Sequence, residues 1–111
     1  CFAEIVTKRG SPPDAIIGAN DVMAIGCMDE AREGFDLSVP DQISVVGFDG
    51  VGPAGYAAYD VTTVRQPVRR MTEAAISMLL ERIENPEVSP EKRAFSGLRI
   101  RGGSARFVDD D

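Results

Sequence analysis

Three polar side chains, Asn20, Asp49 and Gln66, come at the end of largely apolar, β-branched runs of the chain. Such runs are typical of buried parallel strands, and open α/β sheets bind small ligands beyond the carboxyl ends of their strands. Amides both donate and accept hydrogen bonds, and a carboxylate accepts strongly from hydroxyl groups. No activated nucleophile or base accompanies the three residues. The pattern therefore predicts a binding half-site for a small polar ligand such as a polyol.

Each of these residues also has a purely structural interpretation. Asn20 is a residue type that commonly caps a helix, but its neighbour Asp21 can fill that role with a charge that suits the helix dipole. We therefore assign the cap to Asp21 and leave Asn20 for the ligand. Asp49 can begin an Asx-turn, and Gln66 can be an exposed hinge residue. Both alternatives stay open at this point.

Composition excludes several classes of function. The chain contains no histidine, so a Ser-His-Asp triad, a Cys-His pair and imidazole metal ligands are all absent from it. A net charge of −6 makes the chain a poor partner for nucleic acid. Cys1 and Cys27 form no disulfide framework and are interpreted as free thiols in a reducing compartment, which predicts a cytoplasmic protein. We expect no catalytic residue, no cofactor, no metal and no membrane segment.

The run Gly50–Gly55 formally matches the dinucleotide-binding pattern G-x-G-x-x-G. The next predicted strand begins near Val61, which leaves no room for the crossover helix that such a site requires. Pro53 removes a backbone donor, and the Asp49 carboxylate at the loop entrance would repel a pyrophosphate. We therefore do not assign a dinucleotide site to this loop.

The elements that must position these residues alternate along the chain, which predicts the α/β class with a partial doubly wound parallel sheet. Helices are predicted over residues 2–9, 21–33 and 67–84, one helical turn over 54–59, and strands over 15–19, 43–48, 61–65 and 97–101. The Asp109–Asp111 end is interpreted as a solvated tail.

The helix predicted over residues 21–33 has two apolar stripes. One stripe, expected to pack on the sheet, is formed by Ala24, Met28 and Ala31. The other is formed by Met23, Gly26 and Cys27. This second stripe either contacts another subunit or adds to the core of the same chain.

Three segments in series resemble motifs of the lactose/galactose-repressor (LacI/GalR) family of bacterial transcription regulators. They are Pro13–Gly26, Val39–Asp49 and Thr62–Pro67, and their order and spacing match as well. The resemblance runs from about Pro12 to Arg101, which is most of the chain.

This resemblance implies a type I periplasmic-binding-protein-like fold, with two subdomains around a ligand cleft and a DNA-reading headpiece at the amino end. Because the chain begins at Cys1, we expect it to be a piece of such a protein, mainly its C-terminal subdomain. Residues 1–66 and 95–104 are assigned to that subdomain, the helix 67–84 to the N-terminal subdomain, and 105–111 to a tail.

The family's effector contacts match Asn20, Asp49 and Gln66, and the resemblance favours a sugar as effector. Its subunit contacts match Met23, Gly26 and Cys27, together with the loop around Tyr56. The implied partners are a small-molecule effector and a second copy, as a homodimer or a domain-swapped fragment. Operator DNA is expected to bind only through the missing headpiece. The alternatives are a periplasmic sugar-binding protein of a transport system and an enzyme of the doubly wound class.

Overall fold

The computed structural model describes residues 2–108 of the 111-residue chain, and every predicted helix and strand is present. In chain order the elements are α1 (Phe2–Arg9), β1 (Ala15–Ile17), α2 (Asp21–Asp29), β2 (Ser44–Val46), a 3₁₀ turn (Gly52–Gly55), β3 (Thr63–Arg65), α3 (Val68–Glu84) and β4 (Leu98–Ile100). The strands are shorter than predicted, and the predicted helical turn lies earlier in its loop. The predicted tail segment Asp109–Asp111 lies outside the described residues.

Two compact units divide the described chain, one made of residues 2–65 and 99–108 and the other of Gln66–Leu98. The first unit contains α1, α2 and most of the strands. The second contains α3 and the polar segment after it.

In the first unit, β1 and β2 pair in parallel, with Ile16 opposite Val45 in register. Parallel bridges from Val46 to Thr62 and from Asp49 to Arg65 continue this arrangement toward β3, which pairs with β4. The connection from β1 to β2 runs through α2, as parallel pairing requires. The carboxyl ends of β1, β2 and β3 therefore lie at one edge of the sheet, as the doubly wound class predicts.

The core of the first unit lies between α2 and the sheet. The predicted core stripe of α2 is confirmed, because Ala24, Met28 and Ala31 are fully buried. They belong to one apolar cluster with Ile43 and Val45 of the β2 region. Burial of each of the larger side chains contributes about 1.5–3 kcal/mol to the packing of α2 on the sheet.

The end of α2 differs from the predicted continuous helix. After Asp29 the chain widens into a π-helical turn, Glu30–Gly34, instead of keeping the α-helical pattern. Phe35 follows this turn and packs edge-on against Phe2 of α1, with ring centroids 5.3 Å apart. This contact ties the start of the chain to the end of α2.

The second unit consists mainly of α3, which has no buried residue. Its Arg70 guanidinium lies over the Phe95 ring, 5.3 Å from the centroid, and Arg82 donates to the Val88 carbonyl. No helix within residues 2–108 is long and apolar enough to cross a membrane.

The segment after β4 returns to the sheet of the first unit. Ser104 is buried, and the backbone N–H of Arg106 donates to Ser44 Oγ at 3.0 Å. This bond connects the beginning of the segment assigned to the tail, residues 105–111, to β2.

Candidate functional site

Backbone hydrogen bonds join the strand ends of the first unit into one continuous surface. The N–H of Asp21 donates to the carbonyl of Phe48 at 2.9 Å, and the N–H of Asp49 donates to the carbonyl of Val64 at 2.9 Å. Asp21, which follows Asn20, is thus bonded to Phe48, which precedes Asp49. We call this surface, residues 18–21, 47–51 and 63–65, the carboxyl edge.

Asn20 is the N-cap of α2. Its backbone is extended, with φ −149° and ψ 175°, and its Oδ1 accepts from the N–H of Met23 at 2.9 Å. The predicted division of roles, with the cap at Asp21, is therefore wrong. Asp21 is already the first helical residue, and only the extended residue before it can turn its side chain back onto the first helical N–H groups. The capping bond uses Oδ1, so the two N–H groups of Nδ2 are left for another partner.

Asp21 instead serves as a buried internal acceptor, with 1% of its surface exposed. Its Oδ2 accepts from the backbone N–H groups of Gly50 at 2.7 Å and Val51 at 3.0 Å. Its Oδ1 accepts from Thr63 Oγ1 at 2.6 Å. The carboxylate thus connects the start of α2 to the loop after β2 and to β3. Sequence reasoning missed this role, although an acidic residue directly after a capping asparagine was a usable signal.

Two glycines make room for this arrangement. A Cβ at Gly47 would overlap Asp21 Oδ1, so any larger residue there would displace the carboxylate. Gly50 has φ +72°, and a Cβ there would lie 2.9 Å from the Cα of Arg65. The close approach of the loop to α2 and β3 therefore depends on the absence of side chains at both positions.

Asp49 has an unusual backbone conformation, with φ +121°. Two other aspartates also have positive φ, but Asp36 at +51° and Asp60 at +42° lie near the left-handed minimum that aspartate tolerates. The conformation of Asp49 lies far from that minimum and costs about 1–3 kcal/mol, a strain that typically persists at functional sites. Asp49 is half-buried and lies at the carboxyl edge, where the preceding residue, Phe48, is bonded to Asp21, the residue after Asn20.

The glycine-rich loop is not organised as a phosphate site. The N–H groups of Gly50 and Val51, which a phosphate would need, already bind the Asp21 carboxylate. The following residues, Gly52–Gly55, form a 3₁₀ turn that contains Pro53. The Asp21 carboxylate therefore occupies the position that the backbone N–H groups of a G-x-G-x-x-G loop would offer to a phosphate.

Gln66, the third predicted ligand residue, belongs to the second unit. It is half-buried, and its backbone carbonyl accepts from the N–H of Val68 at 2.9 Å. It follows Arg65, whose backbone forms the bridge with Asp49. The first unit thus brings together Asn20 and Asp49, whereas Gln66 belongs to the second unit.

Two members of the second apolar stripe of α2, Met23 and Gly26, lie outside the core, whereas Cys27 is half-buried and packs against the core. Met23 is 54% exposed, and Gly26 is exposed as well. Together with Cys27, Phe2 and Glu30 they line an open depression of about 420 Å³. Burial raises the pKa of the Cys27 thiol above its ordinary value, so the thiol is protonated at neutral pH. Tyr56, also predicted to lie at a subunit contact, is 62% exposed.

Within residues 2–108, no group of three or more cysteine, aspartate or glutamate side chains is arranged to hold a metal ion. The two candidate ligand contacts of the carboxyl edge, Asn20 and Asp49, are single side chains supplied by separate segments. Such an arrangement can hydrogen-bond a small polar molecule.

Comparison with known proteins agrees with this geometry. Residues 2–104 match the family model described as a periplasmic binding protein-like domain. The HTH-type transcriptional repressor PurR of Vibrio campbellii is 41% identical over 93 residues, which cover 84% of this chain and 27% of that repressor.

Two solved structures are similar as well. A LacI-type transcription regulator from Bifidobacterium animalis superposes with a TM-score of 0.80 at 31% identity, over 94% of this chain and 37% of that one. A LacI family regulator from Lactobacillus casei with bound sucrose gives a TM-score of 0.69 at 31% identity, over 86% and 34% of the two chains.

The chain thus spans between about a quarter and two fifths of the length of these proteins. They are transcription regulators rather than enzymes, and they favour a regulator over a component of a transport system. The predicted resemblance and the predicted fold are both confirmed by the family match and the superpositions. The chain belongs to the LacI/GalR family of transcription regulators and has the periplasmic-binding-protein-like fold of that family's effector-binding domain.

Proposed function

We propose that this chain is the part of a ligand-responsive transcription regulator that contacts a sugar or a similar small polar effector through Asn20, Asp49 and Gln66. One observation carries the proposal: Asp49 has a strained backbone, φ +121°, at the edge where parallel strands end. The sucrose bound to the Lactobacillus casei regulator supports a sugar as the class of effector.

The chemistry of the carboxyl edge suits a ligand rich in hydroxyl groups. The Asp49 carboxylate accepts hydrogen bonds from hydroxyls, and a charged acceptor makes stronger bonds than a neutral one. The Nδ2 group of Asn20 donates to a ligand oxygen while its Oδ1 caps α2. The cap thus orients the amide that the ligand contacts. The negative charge of Asp49 disfavours effectors with a phosphate at this position.

Regulation then follows from the two states of an effector-binding domain. The effector binds more tightly to the state in which both walls of its cleft contact it, and it shifts the protein toward that state. Coupling of this kind is typically about 1–3 kcal/mol between two sites. In the full-length protein, operator DNA is contacted by an N-terminal headpiece, and the net charge of −6 on the chain described here disfavours contact with DNA.

The test is calorimetric titration of the full-length protein that contains this chain with sucrose and with a panel of neutral mono- and disaccharides. Substitution Asp49→Ala is expected to weaken binding of the active sugar by about 2–4 kcal/mol, because the ligand hydroxyls lose a charged partner. The matched control is Asp29→Asn, which changes an exposed carboxylate whose hydrogen-bond partner is Tyr59. Unchanged affinity in Asp49→Ala would remove Asp49 from the site.

Subunit pairing through Met23, Gly26, Cys27 and Tyr56 belongs to the same proposal. The exposed apolar stripe of α2 and its open depression support it, because a two-fold contact would cover both. Met23→Asp is expected to shift the protein from dimer to monomer in sedimentation experiments. Val22→Asp, at an exposed neighbouring position outside the depression, is the control. An unchanged dimer in Met23→Asp would contradict the assignment.

A further inference from the structure

The hydrogen bonds of Asp21 hold the backbone on both sides of Asp49, at the residue before it and at the two residues after it. The backbone N–H of Asp21 donates to the carbonyl of Phe48, the residue before Asp49. Its carboxylate accepts from the N–H groups of Gly50 and Val51, the two residues after Asp49. A single residue therefore fixes the chain immediately before and immediately after the strained position.

This enclosure explains why the strain of Asp49 is retained. The N–H of Asp49 also donates to the Val64 carbonyl at 2.9 Å, within the parallel bridge between Asp49 and Arg65. With the carbonyl of Phe48 and the amides of Gly50 and Val51 held, the dihedral angles between them cannot relax independently. Unusual backbone conformations persist only where the surrounding structure over-determines them in this way.

The carboxylate of Asp21 is suited to this task by its own setting. It is buried, and three donors converge on its two oxygens, including Thr63 Oγ1 at 2.6 Å. A buried carboxylate with this many partners is costly to move, because any displacement leaves a charge without hydrogen bonds. Gly47 leaves no free space behind it, since a Cβ there would overlap Oδ1.

We infer that Asp21 is the positioning residue of the carboxyl edge: its buried carboxylate holds Asp49 in the strained conformation that presents the Asp49 side chain to the effector. The effector part of this inference rests on the proposed function. The hold on the backbone does not, and it can be tested without any ligand. Asp21 acts through Asp49 and makes no contact with the effector.

The test is a double-mutant cycle on the unfolding equilibrium of the 111-residue chain in urea. Glycine adopts positive φ without strain, so Asp49→Gly is expected to shift the unfolding constant of the wild-type chain about 5- to 30-fold toward the folded state. In an Asp21→Ala background the backbone of Asp49 relaxes. Asp49→Gly is therefore expected to change the unfolding constant of that variant by less than about twofold.

The matched control background is Asp29→Asn, at the far end of α2, where Asp49→Gly should keep its full effect. An equal gain in the Asp21→Ala background would overturn the inference, and so would the absence of any gain in the wild-type chain. If Asp21→Ala is unfolded without urea, the cycle is measured with Asp21→Asn, which keeps one oxygen for the two loop amides but no charge. In the Asp21→Asn background, the stability gained through Asp49→Gly should fall below half of the gain in the wild-type chain. An undiminished gain would overturn the inference.

A second arm uses the full-length protein and the sugar identified by titration, or sucrose if several bind. Asp21→Asn should weaken binding by about tenfold, while Asp29→Asn should leave it unchanged. If Asp49→Ala does not affect binding but the cycle shows coupling, the proposed effector contact is wrong and the positioning of Asp49 stands. If Asp49→Ala abolishes binding but the cycle is additive, the contact stands and the positioning by Asp21 is wrong.

Discussion

Replacing Ser104 by alanine should lower the free energy of unfolding by more than the small size of this side chain suggests. Ser104 is 1% exposed, and its Oγ donates to the carbonyl of Val45 at 2.5 Å and accepts from the N–H of Thr62 at 2.9 Å. Its own carbonyl accepts from the N–H of Val45 at 2.8 Å. Ser104 therefore supplies the hydrogen bonds between β2 and the segment entering β3, just before these pair directly at Val46 and Thr62.

The magnitude follows from the groups left behind. Ser104→Ala keeps the backbone bonds of residue 104, but it leaves the Val45 carbonyl and the Thr62 N–H without their side-chain partner. Both residues are buried, so water reaches these groups poorly. A buried polar group without a partner costs about 1–3 kcal/mol, which gives a total loss of about 2–4 kcal/mol.

The assay is urea unfolding of the chain, followed by circular dichroism and compared at equal m-values. Ser38→Ala is the matched control, because Ser38 is exposed and its Oγ makes a bond of 3.2 Å with Gln42. That control should change stability by less than about 0.5 kcal/mol. A loss of less than about 1 kcal/mol in Ser104→Ala would refute the reasoning that these two backbone groups depend on Ser104.

Three further predictions concern the carboxyl edge and α2. Asn20→Asp should keep the free energy of unfolding within about 0.5 kcal/mol of the wild-type value, since aspartate also caps helices. It should nevertheless weaken effector binding in calorimetry, because Nδ2 is lost. Asn20→Ala should weaken binding and also lose about 1 kcal/mol of stability. Gly47→Ala should destabilise the chain by about 1–3 kcal/mol in urea, because its Cβ displaces the Asp21 carboxylate; wild-type stability would contradict this. Cys27 should react with iodoacetamide more slowly at pH 8 in the folded chain than in urea, measured in a Cys1→Ser background, since burial raises its pKa. Equal rates would show that burial does not hold the thiol protonated.

The Cys27 thiol also predicts a pH dependence of stability. Its folded-state pKa is raised above the ordinary value of 9.0, so the folded chain holds its proton more firmly than the unfolded chain does. The associated stability is fully present below about pH 9 and is lost as the pH rises through the higher folded pKa. Cys27→Ser should remove this alkaline component from the pH dependence of the free energy of unfolding.

Much of the architecture was predictable because it is encoded locally. Apolar periodicity located α2 and α3, and β-branched runs located the strands, since both depend on side chains only a few residues apart. The core stripe of α2 was likewise predictable from its helical spacing. Strand lengths and the π-helical turn Glu30–Gly34 were not, because they depend on how the chain is bonded and packed after it has folded.

The two adjacent polar residues at the start of α2 show where sequence reasoning fails. Either Asn20 or Asp21 could cap the helix, and the preference of the helix dipole for a charge favoured Asp21. In the folded chain, the donors of Gly50, Val51 and Thr63 converge on Asp21 instead. Their combined bonds to a buried carboxylate outweigh the small gain of an exposed cap, and Asn20 takes the cap.

The sequence by itself determined the order of the elements and the placement of Asn20 and Asp49 at strand ends, because patterns within a few residues carry that information. Only the tertiary structure decided that Asp49 has φ +121° and that Asp21 encloses it. The physical reason is distance along the chain: the donors to Asp21 lie 29, 30 and 42 residues away, and no local pattern brings them together.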